Sequence, residues 1–352
     1  MKDYIDKLRY ELILKKESDE YIQFCCSYAE RLLTEEKPVL FDSKHVKEVL
    51  KLNEIKKNGY HLFNAGNEFK PRIIEAPSLA IKERQRWIVN RIFQKEELGE
   101  WIHGYVKNKS IVTNAKVHMR KKNILCLDIH NYFQSINIGM VKNLFVREGY
   151  SESAAEELAQ ICTFSYELLC CEDEEVIDRP TLNRYLPHGA PSSPIISNLI
   201  FQDVDLLILE KIKDKDIKYT RYADDMIFSS DSDELMWLKD TIEEIISKKG
   251  FQINNRKTRL MGEDDQKILM GLNLTNGLKI QNAYKRKLRQ EIYFCKKYGI
   301  QNHLERIGNN SKSNFMGYIY GKAYFVKMVE LQLGEKLIVE LDDIFSRDKY
   351  DG

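Results

Sequence analysis

The 352-residue chain has no run of about eighteen apolar residues, so no membrane-spanning helix is expected. Its first residues, Met1-Lys2-Asp3-Tyr4-Ile5-Asp6, lack the charged-then-apolar order of a secretion signal. C-x-x-C metal spacing is also missing. The seven cysteines are scattered, with two adjacent pairs (Cys25-Cys26 and Cys170-Cys171), and read as reduced thiols of a cytosolic protein. No internal repeat, low-complexity tract or long Gly/Ser linker occurs, so any subdomains should form one continuous body around a cleft. An excess of one charge sign is lacking too, since 55 Lys and Arg stand against 54 Asp and Glu.

What is present is a chain longer than one typical compact domain, 43% hydrophobic and 11% aromatic, which suits a folded protein with a sizeable core. The near-zero charge is a sum of separated blocks. Residues 151–178 hold nine acids and no Lys or Arg, residues 105–122 hold six basic residues and no acid, and residues 281–327 hold ten basic against two acidic. The two basic blocks could follow a phosphate backbone, although most such runs are solvated helix faces. Tyr284, Tyr293, Phe294 and Tyr298 interleave with the last block, where the buried face of a helix accounts for most of them.

The most informative segment is Lys218-Tyr219-Thr220-Arg221-Tyr222-Ala223-Asp224-Asp225-Met226-Ile227-Phe228. Two β-favouring runs around a short polar dipeptide predict a tight hairpin with adjacent carboxylates at its tip. Such carboxylates repel each other unless a hard divalent cation sits between them. Read alone, an Asp-Asp pair in a turn needs no such explanation, because aspartate tolerates turn dihedrals. A third acid in a matching context favours a site. The run Asn123-Ile124-Leu125-Cys126-Leu127-Asp128 is a buried central strand by its pattern and ends in a carboxylate. Capping explains Asp128 only partly, because His130 to Ile136 shows no obvious helix start. Asp128, Asp224 and Asp225 together could hold two Mg²⁺ ions, an arrangement that stabilises both oxygens of a phosphoryl transfer.

These residues carry a resemblance. Leu127 to Ile136, Leu186-Pro187-His188-Gly189-Ala190-Pro191-Ser192-Ser193-Pro194 and Tyr222-Ala223-Asp224-Asp225 resemble three successive blocks of reverse transcriptases, in that family's order and spacing. Lys70-Pro71-Arg72-Ile73-Ile74 resembles the fingers block, and Asn254-Asn255-Arg256-Lys257-Thr258-Arg259 the block after the catalytic hairpin. Asn114-Ala115-Lys116-Val117-His118 is similar to the Asn-Ala-x-x-His block of retron reverse transcriptases, inside the basic stretch 105–122. The usual retron Val-Thr-Gly is replaced by Leu269-Met270-Gly271, of which only the glycine survives, and His188 stands where the family most often has Gln.

The resemblance implies an α+β right-hand polymerase: a helical N-terminal extension (1–58), fingers (59–120), palm (121–280) and thumb (281–352). It implies catalysis by Asp128, Asp224 and Asp225 with two Mg²⁺ ions. Arg72 would contact the triphosphate, for which a permanently charged, bidentate guanidinium is suited, and Lys70 could share that role. Phe133 would bar a 2′-hydroxyl, His188 and Gly189 would line the nucleotide site, and Lys257 would offset the carboxylate charge. Asn114, His118, Lys285, Arg286 and Arg289 are the candidate RNA contacts. The implied partners are a cognate structured noncoding RNA, its branched DNA product, deoxynucleoside triphosphates and a separate defence effector protein, in a bacterial cytoplasm. No endonuclease or zinc-binding segment is seen after the thumb, which weighs against a mobile intron protein. The alternatives are another bacterial reverse transcriptase (abortive-infection or group II intron-like) and an inactive polymerase-fold RNA-binding scaffold.

Overall fold

The computed structural model describes residues 1–54, 59–65, 72–166, 184–233, 235–306 and 315–348. Lys70, Pro71 and the acidic stretch from 167 to 178 lie outside the described residues. The helical spacing of Leu8, Leu12 and Ile13 yields α1 (Lys2–Leu14), followed by α2 (Asp19–Thr34) and α3 (Ser43–Val49). Ser18 accepts a hydrogen bond from the Tyr21 amide and Asp42 from the His45 amide, so α2 and α3 start where a side-chain oxygen satisfies a free N–H. Helix α1 buries none of its residues, whereas α2 sinks Cys25, Ala29 and Leu32 into the body of the protein.

An antiparallel pair, β1 (Tyr60–Asn64) and β2 (Ile73–Pro77), leads into α4 (Leu79–Ile92) and the short α5 (Ile111–Val117). Strand β3 (Asn123–Asp128) is followed by one helical turn, α6 (Tyr132–Ser135), then by α7 (Ile138–Arg147), α8 (Glu152–Cys162) and the long α9 (Ser193–Ile212). The turn α6 was not predicted. It starts after Asn131, which adopts the left-handed conformation at φ +47 that asparagine tolerates best among side-chain-bearing residues. Strands β4 (Lys218–Tyr222) and β5 (Asp225–Ser230), helix α10 (Leu235–Ser247) and β6 (Arg259–Met261) complete the central antiparallel sheet, in the order β4-β5-β3-β6.

Side chains alternate across this sheet, and the two faces feed two cores. Leu125, Leu127, Met226 and Phe228 pack with α7, α9 and α10, while Ile124, Cys126, Ile227 and Met261 pack under α5 and the C-terminal helices. Each such side chain contributes on the order of 2 kcal/mol by leaving water, so a one-residue slip of β3 would cost both cores at once. Past a small sheet of β7 (Ile268–Leu269), β8 (Leu272–Asn273) and β9 (Lys279–Ile280) come α11 (Asn282–Tyr298), α12 (Ile300–Arg306), α13 (Phe315–Val329) and α14 (Leu331–Asp348). The sequence predicts one helix over 324–345, but the structure has two, α13 and α14, meeting at Glu330. The Glu330 carboxylate is engaged with the Ile280 amide at 2.8 Å and Lys285 Nζ at 2.9 Å, which anchors the chain reversal.

Candidate active site

Register brings the acids together. Strands β3 and β5 pair so that Asp128 stands directly opposite Asp225, and antiparallel partners share a face. Tyr222 pairs with Asp225, so the predicted hairpin is present, but its two-residue turn is Ala223-Asp224 rather than the Asp224-Asp225 pair, and Asp225 already belongs to β5. Ala223 sits at φ +56, the left-handed region that such hairpin turns require at their first position. The Ile129 amide donates to the Asp224 carbonyl at 3.0 Å and ties the turn to the end of β3.

The electrostatics follow from this crowding. Burial, then the neighbouring Asp224 and Asp128 carboxylates, push the Asp225 pKa up to about 6. Burial and Asp128 likewise raise that of Asp224. Lys257 Nζ lies 2.7 Å from Asp128 Oδ2. Burial works against its charge, but the hydrogen bond to Asp128 and the field of the three acids outweigh burial and raise its pKa. As they stand, no three His, Cys, Asp or Glu side chains among the described residues converge closely enough to enclose an ion. The expected acids are therefore neighbours but are not closed around a metal centre, and the cation touching Asp128 is the lysine. The donor set still fits a hard divalent cation: three carboxylates, two of them with pKa values raised by burial and by mutual repulsion.

Sequence reasoning missed what holds the hairpin in place. Arg221 is fully buried. Its Nε and Nη2 donate to both oxygens of buried Asp205 (2.7–3.1 Å), and its Nη1 donates to Tyr132 Oη at 3.1 Å, Asn198 Oδ1 at 2.9 Å and the carbonyl of Ala223 at 3.2 Å. Asn198 Nδ2 in turn donates to the Gly104 carbonyl at 2.9 Å. The signals were an arginine inside an apolar strand and an aspartate in the middle of an apolar helix.

The nucleotide-site candidates converge on the same side. Arg72 opens β2 from an exposed position, and its charge reaches Asp224. Phe133 is only 7% exposed, with its ring 5.3 Å edge-on from His188 and 6.2 Å from Tyr105. Both His188 and Gly189 are organised by Glu75, a buried acid that the sequence reading passed over although it interrupts the apolar run of β2. The Glu75 side chain accepts from the His188 amide at 3.0 Å, lies 3.3 Å from His188 Nδ1, and has its pKa lowered by these bonds in spite of burial. The Gly189 amide donates to the Glu75 carbonyl at 3.1 Å, and a Cβ at Gly189 would lie 2.6 Å from that same oxygen, so only glycine fits.

The structure departs from the sequence reading at three of the five RNA candidates. Asn114 and His118 are completely buried and offer no surface to a nucleic acid. His118 lies 2.7 Å from both Ser229 Oγ and Thr220 Oγ1, so the Asn-Ala-x-x-His block sews α5 onto the central sheet. Lys285 is 9% exposed and bonded to Glu330, while Arg286 and Arg289 are exposed on α11.

The reverse transcriptase (RNA-dependent DNA polymerase) family matches residues 55–320 of this chain. Among characterised relatives, the retron Ec86 reverse transcriptase of Escherichia coli is 30% identical over 214 residues, covering 60% of this chain and 61% of that protein. The retron Se72 reverse transcriptase of Salmonella heidelberg is 28% identical over 242 residues, 66% of this chain and 59% of that protein. The chain thus spans about three fifths of the length of these two relatives. A solved telomerase from Candida albicans, in complex with a TWJ fragment of telomeric RNA, has a TM-score of 0.46 at 11% identity, covering 93% of this chain and 66% of that one. The chain belongs to the reverse transcriptase family, in its retron-type branch, and its α+β architecture is that family's right-hand polymerase fold.

Proposed function

We propose that this chain is a retron-type RNA-directed DNA polymerase that binds a cognate structured noncoding RNA. It copies part of that RNA from deoxynucleoside triphosphates into branched multicopy single-stranded DNA. The observation that carries the reading is the pairing of Asp128 with Asp225 beside the Asp224 turn, at one end of a rigid sheet in a chain of this family. The helical extension is 1–58, the fingers 59–120, the palm 121–280 and the thumb 281–352.

Reverse transcriptases use divalent metal ions, and here Asp128, Asp224 and Asp225 would hold two Mg²⁺. When bound, the ions lower the pKa of the attacking hydroxyl and hold the triphosphate in line. The remaining work falls to side chains. Arg72 grips the triphosphate, and Phe133 lies under the sugar and excludes a 2′-hydroxyl. His188 and Gly189, fixed by Glu75, shape the pocket wall. Lys257, 2.7 Å from Asp128, would offset the charge of the acids. Arg286 and Arg289 contact RNA from the thumb. Priming uses a 2′-hydroxyl of a guanosine in the RNA, and the ribonucleoprotein holds a separate effector protein for phage defence in the bacterial cytoplasm. The retron relatives support the retron-type reverse transcriptase on which this setting is built.

The test is an Asp224→Asn, Asp225→Asn double variant together with sequencing of nucleic acid that copurifies with the wild-type protein. Nucleotide incorporation is abolished while RNA binding stays measurable, and the copurified species is a covalent RNA–DNA hybrid. Retained synthesis refutes the site, and recovery of bulk cellular RNA alone refutes the dedicated partner.

A further inference from the structure

Tyr105 has an unusual combination of properties. It is 51% exposed, yet its backbone is held at φ +61, a conformation that a bulky residue rarely adopts. The chain before it is pinned from several directions. Arg221 donates its amide to the Trp101 carbonyl and the His103 amide donates to the Arg221 carbonyl, both at 2.8 Å, so 101–103 runs along β4. The Gly104 backbone packs against the Tyr222–Ala223 peptide so closely that no Cβ fits there. His103 Nδ1 lies 2.9 Å from Thr113 Oγ1. A strained residue persists only where its surroundings over-determine it, and strain of this kind clusters at functional sites.

The strain delivers the phenol ring to one place. It stands 6.2 Å from the Phe133 ring, tilted by 37°, while His188 meets that same ring edge-on at 5.3 Å. Its hydroxyl lies within the electrostatic reach of Asp224, Arg72 and Tyr222. A tyrosine so placed offers an apolar wall and a polar tip. The geometry points to Tyr105 as a nucleotide-selecting residue: its ring braces Phe133 as one side of the sugar slot, and its hydroxyl donates to a triphosphate oxygen beside Arg72. This rests on the polymerase reading of the site, and the ligand class is a deoxynucleoside triphosphate.

Steady-state incorporation on a primed template tests it with two variants of Tyr105 and two controls, Phe133→Ala and Arg72→Ala, the latter raising KM for the deoxynucleotide. Tyr105→Phe keeps the ring and loses the donor, so KM for the deoxynucleotide rises about tenfold, as for loss of one hydrogen bond to a charged group, while kcat falls less than threefold. Tyr105→Leu also loosens the slot, so the preference for deoxynucleotide over ribonucleotide drops by about tenfold. Phe133→Ala drops it further and serves as the comparator. An unchanged KM in Tyr105→Phe, or unchanged sugar selectivity in Tyr105→Leu, overturns the inference provided that Arg72→Ala and Phe133→Ala show their expected defects. If those two variants also behave as wild type, the site reading itself fails. A purely structural Tyr105 would lower thermal stability in Tyr105→Leu without splitting KM from kcat.

Discussion

Lys257 Nζ touches Asp128 Oδ2 at 2.7 Å, on the strand whose neighbour presents Asp225 directly opposite. One ammonium therefore faces three carboxylates, and the acids remain under-compensated. Burial first, and then that deficit, hold the Asp225 pKa at about 6 against an ordinary 3.8. Because the folded state binds the extra proton, this group's contribution is favourable below its unfolded pKa and is lost as pH rises from about 4 to 6. At neutral pH the penalty is on the order of 2 kcal/mol. Asp225→Asn should raise the melting temperature of the metal-free protein at pH 7.5 and flatten its fall between pH 4 and 6. Adding Mg²⁺ should stabilise wild type more than the variant. A thermal melt series in pH and Mg²⁺ checks both expectations.

Gly189→Ala places a methyl group 2.6 Å from the Glu75 carbonyl oxygen and 2.8 Å from the Ala76 Cα. Neither is the flexible end of a side chain, so the loop must move away from β2 and lose the Gly189 amide bond. The expected cost is about 2–4 kcal/mol, read from urea unfolding, with a raised KM for deoxynucleotides.

The hairpin, the buried strand β3 and three helices were legible because period and propensity agree with burial there: the sequence places the helices at 139–148, 153–163 and 192–212, and the structure at 138–147, 152–162 and 193–212. The acids were legible because carboxylates ending apolar strands are rare without a purpose. The network behind them was not. Apart from the bond of Arg221 to the Ala223 carbonyl, Arg221, Asp205, Asn198 and Glu75 act through partners 14 to 113 residues away, which no local pattern encodes. Half of the basic block 105–122 is engaged within the protein for a related reason. Lys121 and Lys122 are matched by Asp216, Asp231 and Glu263, and Lys109 caps the carbonyls of Glu100 and Ile102. Asn114 and His118 lie beneath the surface that their neighbours' charges suggested.

For His118 the consequence is measurable. Burial lowers its pKa to about 3, so it stays neutral in the fold while the unfolded chain binds a proton below about 6.5. Its contribution to stability is complete above that value and declines as pH falls toward 3. His118→Ala should cost about 2–3 kcal/mol by leaving the Ser229 and Thr220 hydroxyls unpaired, yet leave RNA affinity within twofold when binding is measured on the folded protein. Arg286→Glu with Arg289→Glu should instead weaken RNA binding and reduce its salt dependence, with stability little changed.

Arg221 separates holding the fold from aiming the site. Replacing it with Met strands the buried Asp205 carboxylate, which should cost about 3–5 kcal/mol. Adding Asp205→Leu removes the stranded charge and should restore most of that stability, since an apolar pair of similar bulk is often as good as a buried ion pair. Activity should not return with it. The guanidinium fork reaches Asp205, Tyr132, Asn198 and the Ala223 carbonyl together, and its bond to that carbonyl braces the left-handed residue before Asp224. The double variant should therefore melt near wild type but show kcat reduced at least tenfold with little change in KM, because the misplacement falls on the acids rather than on the triphosphate grip. Recovery of both stability and kcat would mean that the turn holds its shape without Arg221, and that this arginine serves the fold alone.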